Sequence, residues 1–242
     1  MPNEKKFHLT RLSCKLDNGL KFMTKQIKSK ERVAEHGEVF TNEREVKAMC
    51  DLVKDETERI DSRVLEPACG DGNFLTEILN RKLNTVKLRY SKNTSDYEKY
   101  SIVAISSLYG VDIMEDNAQE CRDRLYNIWN EAYTANNKKE CTDECRDAAK
   151  YIITRNILCG DALTLLQNNG QPIIFSEWSL VAGVMLKRRD FELSHMLEMQ
   201  NLGDQGDLFL SSGDYDKELG SYIPQPIAEY PPIQYWRVQC QK

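Results

Sequence analysis

The sequence predicts an α/β protein, with a mostly parallel sheet and helices on both faces. Three observations carry that expectation. Short apolar runs alternate with segments whose apolar residues recur at spacings of three and four. Several runs end in a carboxylate, at Glu66, Asp112 and Asp161. The first run passes through Gly70-Asp71-Gly72 into Phe74, Leu75, Ile78 and Leu79 at helical spacing. That order of strand, tight glycine turn and helix lets a backbone approach a nucleotide-like ligand closely. Ligands in open α/β sheets sit beyond the carboxyl ends of the strands, which gathers the three acids at one edge.

The 242 residues suit one large domain with appended arms, and an apolar share of 40% against 29% charged suits a soluble globular chain. No apolar run approaches the length of a membrane span, and the polar, basic start is no secretory signal, so a cytoplasmic location is expected. The eight cysteines are scattered, which favours reduced thiols. Cys141 and Cys145 lack the second pair or histidine that a zinc site needs, so no metal is expected.

Residues 1–58 divide into a basic arm and a helix. Leu9, Leu12, Leu16, Leu20 and Phe22 among lysines suggest an amphipathic helix broken near Asn18-Gly19. Residues 1–30 carry eight Lys/Arg against two acids, whereas from Asp190 onward nine acids face three bases. The arm is suited to contact phosphates, to dock on the acidic tail, or to remain a solvated face. Thr41, followed by Arg44 and Glu45, opens a helix over about 42–58.

Residues 59–190 hold the α/β core. After the strand at Val64-Leu65-Glu66, Asp71 or Asn73 can cap a helix running to about Leu88. Residues 91–100 read as a loop. Apolar runs at Ile102–Ile105 and Leu108–Ile113 read as β-rich, the second leading into a helix through Asn117, Cys121, Leu125 and Trp129. A charged helix over 137–150 precedes a third strand at Tyr151–Leu158, and a fourth, Pro172–Phe175, runs into Ser176-Glu177-Trp178. Residues 191–242 form an acidic, Pro-rich extension, with Leu208-Phe209-Leu210 as a short strand.

Two nucleotide folds are excluded. A dinucleotide fingerprint wants a third glycine where Leu75 stands and an acid about twenty residues on, whereas Asp112 lies farther along. A phosphate loop would need Gly-Lys-Ser/Thr, which is absent, and the turn has no cation of its own. A nucleoside joined to a zwitterionic amino acid fits better. The blander alternatives are an ordinary strand-to-helix turn, and capping roles for Asp112 and Asp161.

At Leu65-Glu66-Pro67-Ala68-Cys69-Gly70-Asp71-Gly72 the chain resembles the S-adenosylmethionine loop of the amino-methylating DNA methyltransferases, in their adenine-N6 branch. His36-Gly37-Glu38-Val39-Phe40-Thr41 resembles that family's N-terminal cofactor segment, with Asn42 in place of its proline. Tyr109-Gly110-Val111-Asp112-Ile113 and Asn156-Ile157-Leu158-Cys159-Gly160-Asp161-Ala162 resemble its second- and third-strand motifs. The resemblance spans residues 36–163 and implies a class I, Rossmann-like methyltransferase fold. It further implies that Gly70 and Gly72 admit the methionine part of the cofactor, with Pro67 and Ala68 in the same loop. Glu66 would organise the loop or receive the amino group indirectly. Asp112, with Ile113 beside it, would hold the ribose hydroxyls; Asp161, beside Ala162, would hold the adenine amino group. Phe40 and Thr41 would close over the methionine end.

The family's catalytic Asn/Asp-Pro-Pro-aromatic motif follows its fourth strand and holds a flipped adenine. Here Phe175-Ser176-Glu177-Trp178 stands in its place, so Trp178 is the candidate to stack a base and Ser176 or Glu177 to accept from an amine. The resemblance thus implies an S-adenosylmethionine-dependent adenine-N6 DNA methyltransferase of restriction-modification type, with DNA as partner. A second protein subunit would supply catalytic or target-recognition parts. The alternative is a non-catalytic, S-adenosylmethionine-binding subunit or regulator; methylation of RNA or protein is a third reading. No membrane partner is expected.

Overall fold

The computed structural model describes residues 8–9, 27–196, 213–216 and 221–241. Its main sheet has the order β1-β2-β3-β4-β5. Strands β1 (His8–Leu9), β2 (Val64–Glu66), β3 (Leu108–Asp112) and β4 (Ile157–Asp161) pair in parallel. Strand β5 (Leu166–Gln167) closes the far edge antiparallel to β4. The chain is therefore α/β with a mostly parallel sheet. Among the described residues no helix is long and apolar enough to cross a membrane.

Side chains alternate across a strand, and here the alternation sorts two layers. Val64, Leu108 and Ile157 join the larger core with α4 (Asn73–Tyr90), α5 (Thr94–Ser106), α6 (Glu115–Asn137) and α7 (Asp143–Asn156). Leu65, Tyr109 and Val111 turn to the other face, where Ile173, Phe175 and Leu193 cover them. The expected helices on that second face are replaced by an antiparallel sheet. It is built on the hairpin β6 (Ile174–Ala182) and β7 (Met185–Glu192).

The reversal of the fourth run has a geometric cause. Successive parallel strands need a crossover of about a dozen residues or more, usually a helix. Here residues 162–173 instead form a turn and β5, which returns beside β4. Strand β6 starts at the carboxyl edge, where the Ile173 N–H donates to Leu165 O at 3.0 Å. It descends past Tyr109, whose hydroxyl donates to Ser176 O at 3.2 Å. Trp178 ends at the amino end of β4, its Nε1 donating to Asn156 Oδ1 at 3.3 Å.

Several expected elements change. Ile102–Ile105 and most of the expected loop at 91–100 belong to α5, capped by Asn93 Oδ1 accepting from the Asp96 N–H. Tyr97, Ser101, Ile102, Ala104 and Ile105 are buried at helical spacing, so packing overrides β propensity. The run at Tyr151–Leu158 is likewise helical to Asn156, with only Ile157 and Leu158 in β4. The 42–58 helix divides at Val53 into α2 (Glu43–Leu52) and α3 (Lys54–Glu58). Leu9, assigned to an amphipathic helix, lies in β1; residues 10–26 and 208–210 lie outside the described residues.

The expected boundary at 190 falls inside β7. Strands β10 (Ala228–Glu229) and β11 (Ile233–Gln234) pair with β7, and Tyr235 and Val238 of the following 3-10 turn enter the core. Strands β8 (Gly213–Asp216) and β9 (Ser221–Pro224) form a separate ribbon. At the amino ends of the parallel strands, the fully buried Lys82 of α4 donates to Ser62 O, to Ser107 Oγ at 2.6 Å and to Ile60 O at 3.5 Å. Burial pulls its ammonium down to about 7.

Candidate functional site

The turn after β2 is squeezed from two sides. Gly70 and Gly72 have φ of 53° and 92°, the left-handed region that side chains rarely adopt. A Cβ on Gly70 would lie 2.9 Å from the Phe40 ring, and one on Gly72 would lie 2.7 Å from Cys121 Sγ of α6. The Gly70 N–H donates to Asp112 Oδ2 at 2.9 Å and the Cys69 N–H to Val111 O, also at 2.9 Å, so β3 fixes the loop. Two small residues are required: one brings Phe40 down, the other lets α6 up.

Asp71 and Asn73 do not cap α4, which starts from Gly72 without a side-chain cap. Asp71 Oδ2 instead pairs with Arg124 of α6 at 2.9 Å, and Arg124 also donates to Asp71 O and Asn73 Oδ1. Asn73 Nδ2 donates to Thr41 O at 3.2 Å, which ties the segment carrying Phe40 and Thr41 to the loop. Phe40 and Thr41, expected to close over the methionine end, thus lie against the glycine turn.

The three edge acids differ. Glu66 is largely buried, with the Ala68 N–H 3.4 Å from Oε1, and desolvation pushes its carboxyl up to about 7. Asp112 Oδ1 accepts from the Met114 N–H at 2.9 Å and from Asn117 Nδ2 at 3.2 Å. Asp161 Oδ1 accepts from the Leu163 N–H at 2.8 Å. Neither acid caps a helix: α6 starts from Met114 without a side-chain cap, and Asp161 is followed by a turn and β5, so the capping alternative fails for both acids. Val39, Ile113 and Leu163 are exposed near this edge, apolar surface suited to the faces of a heterocycle.

Sequence reasoning missed the side chains that hold the cover. Glu38 Oε1 accepts from Arg32 Nη2 and Asn117 Nδ2, each at 2.6 Å. Arg32 Nη1 reaches Asp116 at 2.6 Å, and Lys28 reaches Asp116 at 3.3 Å and Glu120 at 2.8 Å. The Arg32 guanidinium holds the Asp116 carboxyl down at about 2. Lys28 of the basic arm therefore docks on acids of the same chain, on α6. The only sequence signal was position: Glu38 lies in the cofactor-like segment and Asn117 just past Asp112.

Among the described residues, Glu38 Oε2 and Asp71 Oδ1 are buried without a hydrogen-bond partner. Such groups are costly to leave unmade and point to a missing donor. A separate cleft of about 610 Å³ lies elsewhere, between Glu98, Glu140 and Trp236. Its Glu98 carboxylate is already taken by the Tyr133 and Tyr235 hydroxyls.

Ser176, Glu177 and Trp178 require correction as catalytic candidates. All three are buried, at the opposite edge of the sheet from Glu66, Asp112 and Asp161. Ser176 Oγ donates to Asp190 Oδ1 at 2.7 Å. Glu177 Oε1 accepts from Arg63, which precedes β2, and Arg189 Nη2 lies 2.5 Å from Oε2 as an ion contact without hydrogen-bond geometry. Trp178 packs edge-on to Tyr151 and beneath Arg188. These side chains join the two sheets and present no face to a base.

Comparison with family models, with curated proteins and with solved structures found no match. The functional reading rests on the geometry and on the motifs themselves.

Proposed function

We propose that this chain binds S-adenosylmethionine across the edge formed by Phe40, Thr41, Glu66, Gly70, Asp112 and Asp161, and serves adenine-N6 methylation of DNA in a restriction-modification system. One observation carries the reading: the glycine turn lies pressed between Phe40 and α6, with acids of all three consecutive parallel strands at the same edge. The residues suit the ligand. Gly70 and Gly72 let Phe40 and α6 close on the loop, and the orphaned Asp71 Oδ1 and Glu38 Oε2 call for donors, which an ammonium and sugar hydroxyls provide. Ile113 and Leu163 offer apolar surface to an adenine beside Asp161.

When bound, S-adenosylmethionine supplies an electrophilic methyl group on a sulfonium. This chain's residues orient the cofactor and exclude water from one side of it, Phe40 and Thr41 covering the loop. The acceptor-binding part comes from a second polypeptide, because the fourth strand runs backwards and carries Ser176–Trp178 away from the edge. The same reversal favours a second reading, a cofactor-binding regulator without transfer.

Calorimetry with S-adenosylmethionine, followed by label transfer to mixed DNA with and without neighbouring gene products, separates these. Micromolar binding and labelled adenine only with a partner is the expected result. Binding without transfer under any condition selects the regulator, and absence of binding removes both.

A further inference from the structure

Two carboxylates converge on one amide nitrogen here. Asn117 Nδ2 donates to Glu38 Oε1 at 2.6 Å and to Asp112 Oδ1 at 3.2 Å. A carboxylate offers about four lone-pair sites, two per oxygen. On Asp112, the N–H of Gly70, the N–H of Met114 and Asn117 Nδ2 occupy three. One acceptor site remains, on Oδ2. On Glu38, Arg32 and Asn117 share Oε1, and Oε2 has no hydrogen-bond partner among the described residues. The side chain of Glu38 is only 8% exposed, so water does not supply the missing donor freely.

A vicinal diol brings two O–H donors. Asp112 alone has room for one of them in this arrangement. We infer that Glu38 is a specificity-determining residue that accepts one ribose hydroxyl while Asp112 accepts the other, so that the site selects ribonucleosides over both deoxy forms. The inference rests on the S-adenosylmethionine reading and assigns a role to a side chain in the covering segment rather than to the strand motifs. Arg32, itself anchored on Asp116, keeps the carboxylate aimed, and Asn117 spaces it from Asp112. Because Oε2 is shut off from solvent, a hydroxyl reaches it only when the segment around Glu38 lifts and reseats over the sugar.

The test uses the full chain and three probes: S-adenosylhomocysteine and its 2′-deoxy and 3′-deoxy analogues, each titrated by calorimetry. Wild type is expected to bind each deoxy analogue roughly 10–100-fold more weakly, the loss of one hydrogen bond to a charged group. In Glu38→Ala, discrimination against one of the two analogues should disappear while discrimination against the other persists. Glu38→Gln, which keeps the shape and one acceptor oxygen, should fall between. Circular dichroism confirms that each variant is folded; Arg32 retains Asp116, so the covering segment keeps an anchor.

Three results would overturn the inference. Glu38→Ala that keeps both discriminations makes Glu38 a spacer only. Equal weakening of all three probes makes it a positioning residue for the cover. Wild type that binds no probe removes the cofactor reading itself, and is distinguished from the other two by the wild-type titration alone.

Discussion

Replacing Glu177 by alanine separates a structural role from a catalytic one. The side chain is 3% exposed and that of its partner Arg63 is 10% exposed, so this is an ion pair in the interior. Arg189 adds a second cation and Ser179 Oγ donates to Oε1 at 3.2 Å. Replacing Glu177 takes from two neighbouring cations the interior carboxylate they share, and losing one member of a buried ion pair costs about 3–5 kcal/mol. At a urea dependence of about 2 kcal/mol per molar, that moves the unfolding midpoint down by about 1.5–2.5 M. The paired change Arg63→Met with Glu177→Leu removes both charges and keeps the volume. It should recover most of the loss, because a well-packed apolar pair often replaces a buried ion pair at little cost. Urea unfolding followed by circular dichroism, with the slope held constant across variants, measures all three. The double variant should also bind S-adenosylhomocysteine like wild type, since Glu177 lies at the far edge of the sheet from Asp112. If Glu177→Ala is as stable as wild type, or if the stable double variant has lost cofactor binding, the assignment of Glu177 to the joint between the sheets is wrong.

Other predictions concern the loop and its cover. Gly70→Ala should lose about 1–2 kcal/mol from the left-handed backbone alone, and more from the Phe40 ring that its Cβ would meet at 2.9 Å; pairing it with Phe40→Leu should restore part of the loss in a urea titration. Glu66 has a folded value near 7 against an ordinary 4.5, so the folded state holds the extra proton between those values. Unfolding stability should therefore fall as pH rises from about 4.5 to 7 and then level, with up to about 3 kcal/mol at stake. Glu66→Gln should lack that component, and identical pH profiles for the two proteins would refute it. Lys28→Ala with Arg32→Ala removes the cations bound to Asp116, Glu120 and Glu38. Proteolysis near residues 37–42 should then quicken, an effect that high salt should mimic only in part because Glu38 is shielded from solvent.

What was legible in the sequence, and what was not, follows from the range over which each residue is determined. Val64-Leu65-Glu66 followed by Gly70 and Gly72 is a local instruction: the strand, the positive φ angles and the helix start are all set by neighbours. Leu108–Asp112 was equally legible, because alternation and a terminal acid agree. Ile102–Ile105 and Tyr151–Leu158 misled because β-branched runs are ambiguous when short, and both are buried on helices α5 and α7 by packing that no local pattern records. Lys82 shows the same limit for a single residue. Its charge suggests a solvent-facing position, yet it is fully buried against the carbonyl oxygens of Ile60 and Ser62.

The direction of β6 is the largest of these effects and bears most on the proposed function. Its apolar run says strand, and nothing in Pro172–Phe175 says which way the strand points. Direction is set by the connection: residues 162–173 are spent on a turn and on β5, leaving no helix to carry the chain back for a parallel entry. Had a crossover helix intervened, Ser176–Trp178 would end at the edge that holds Glu66, Asp112 and Asp161. As built, Glu177 meets Arg63 at the opposite edge and is neutralised there. A binding edge assembled from β2, β3 and β4 is therefore compatible with a strand β6 that adds no acceptor-binding group to it. On the proposed reading, holding a cofactor and acting on a base are separable properties, and the second must be looked for in what joins the Phe40-covered edge from outside the described fold.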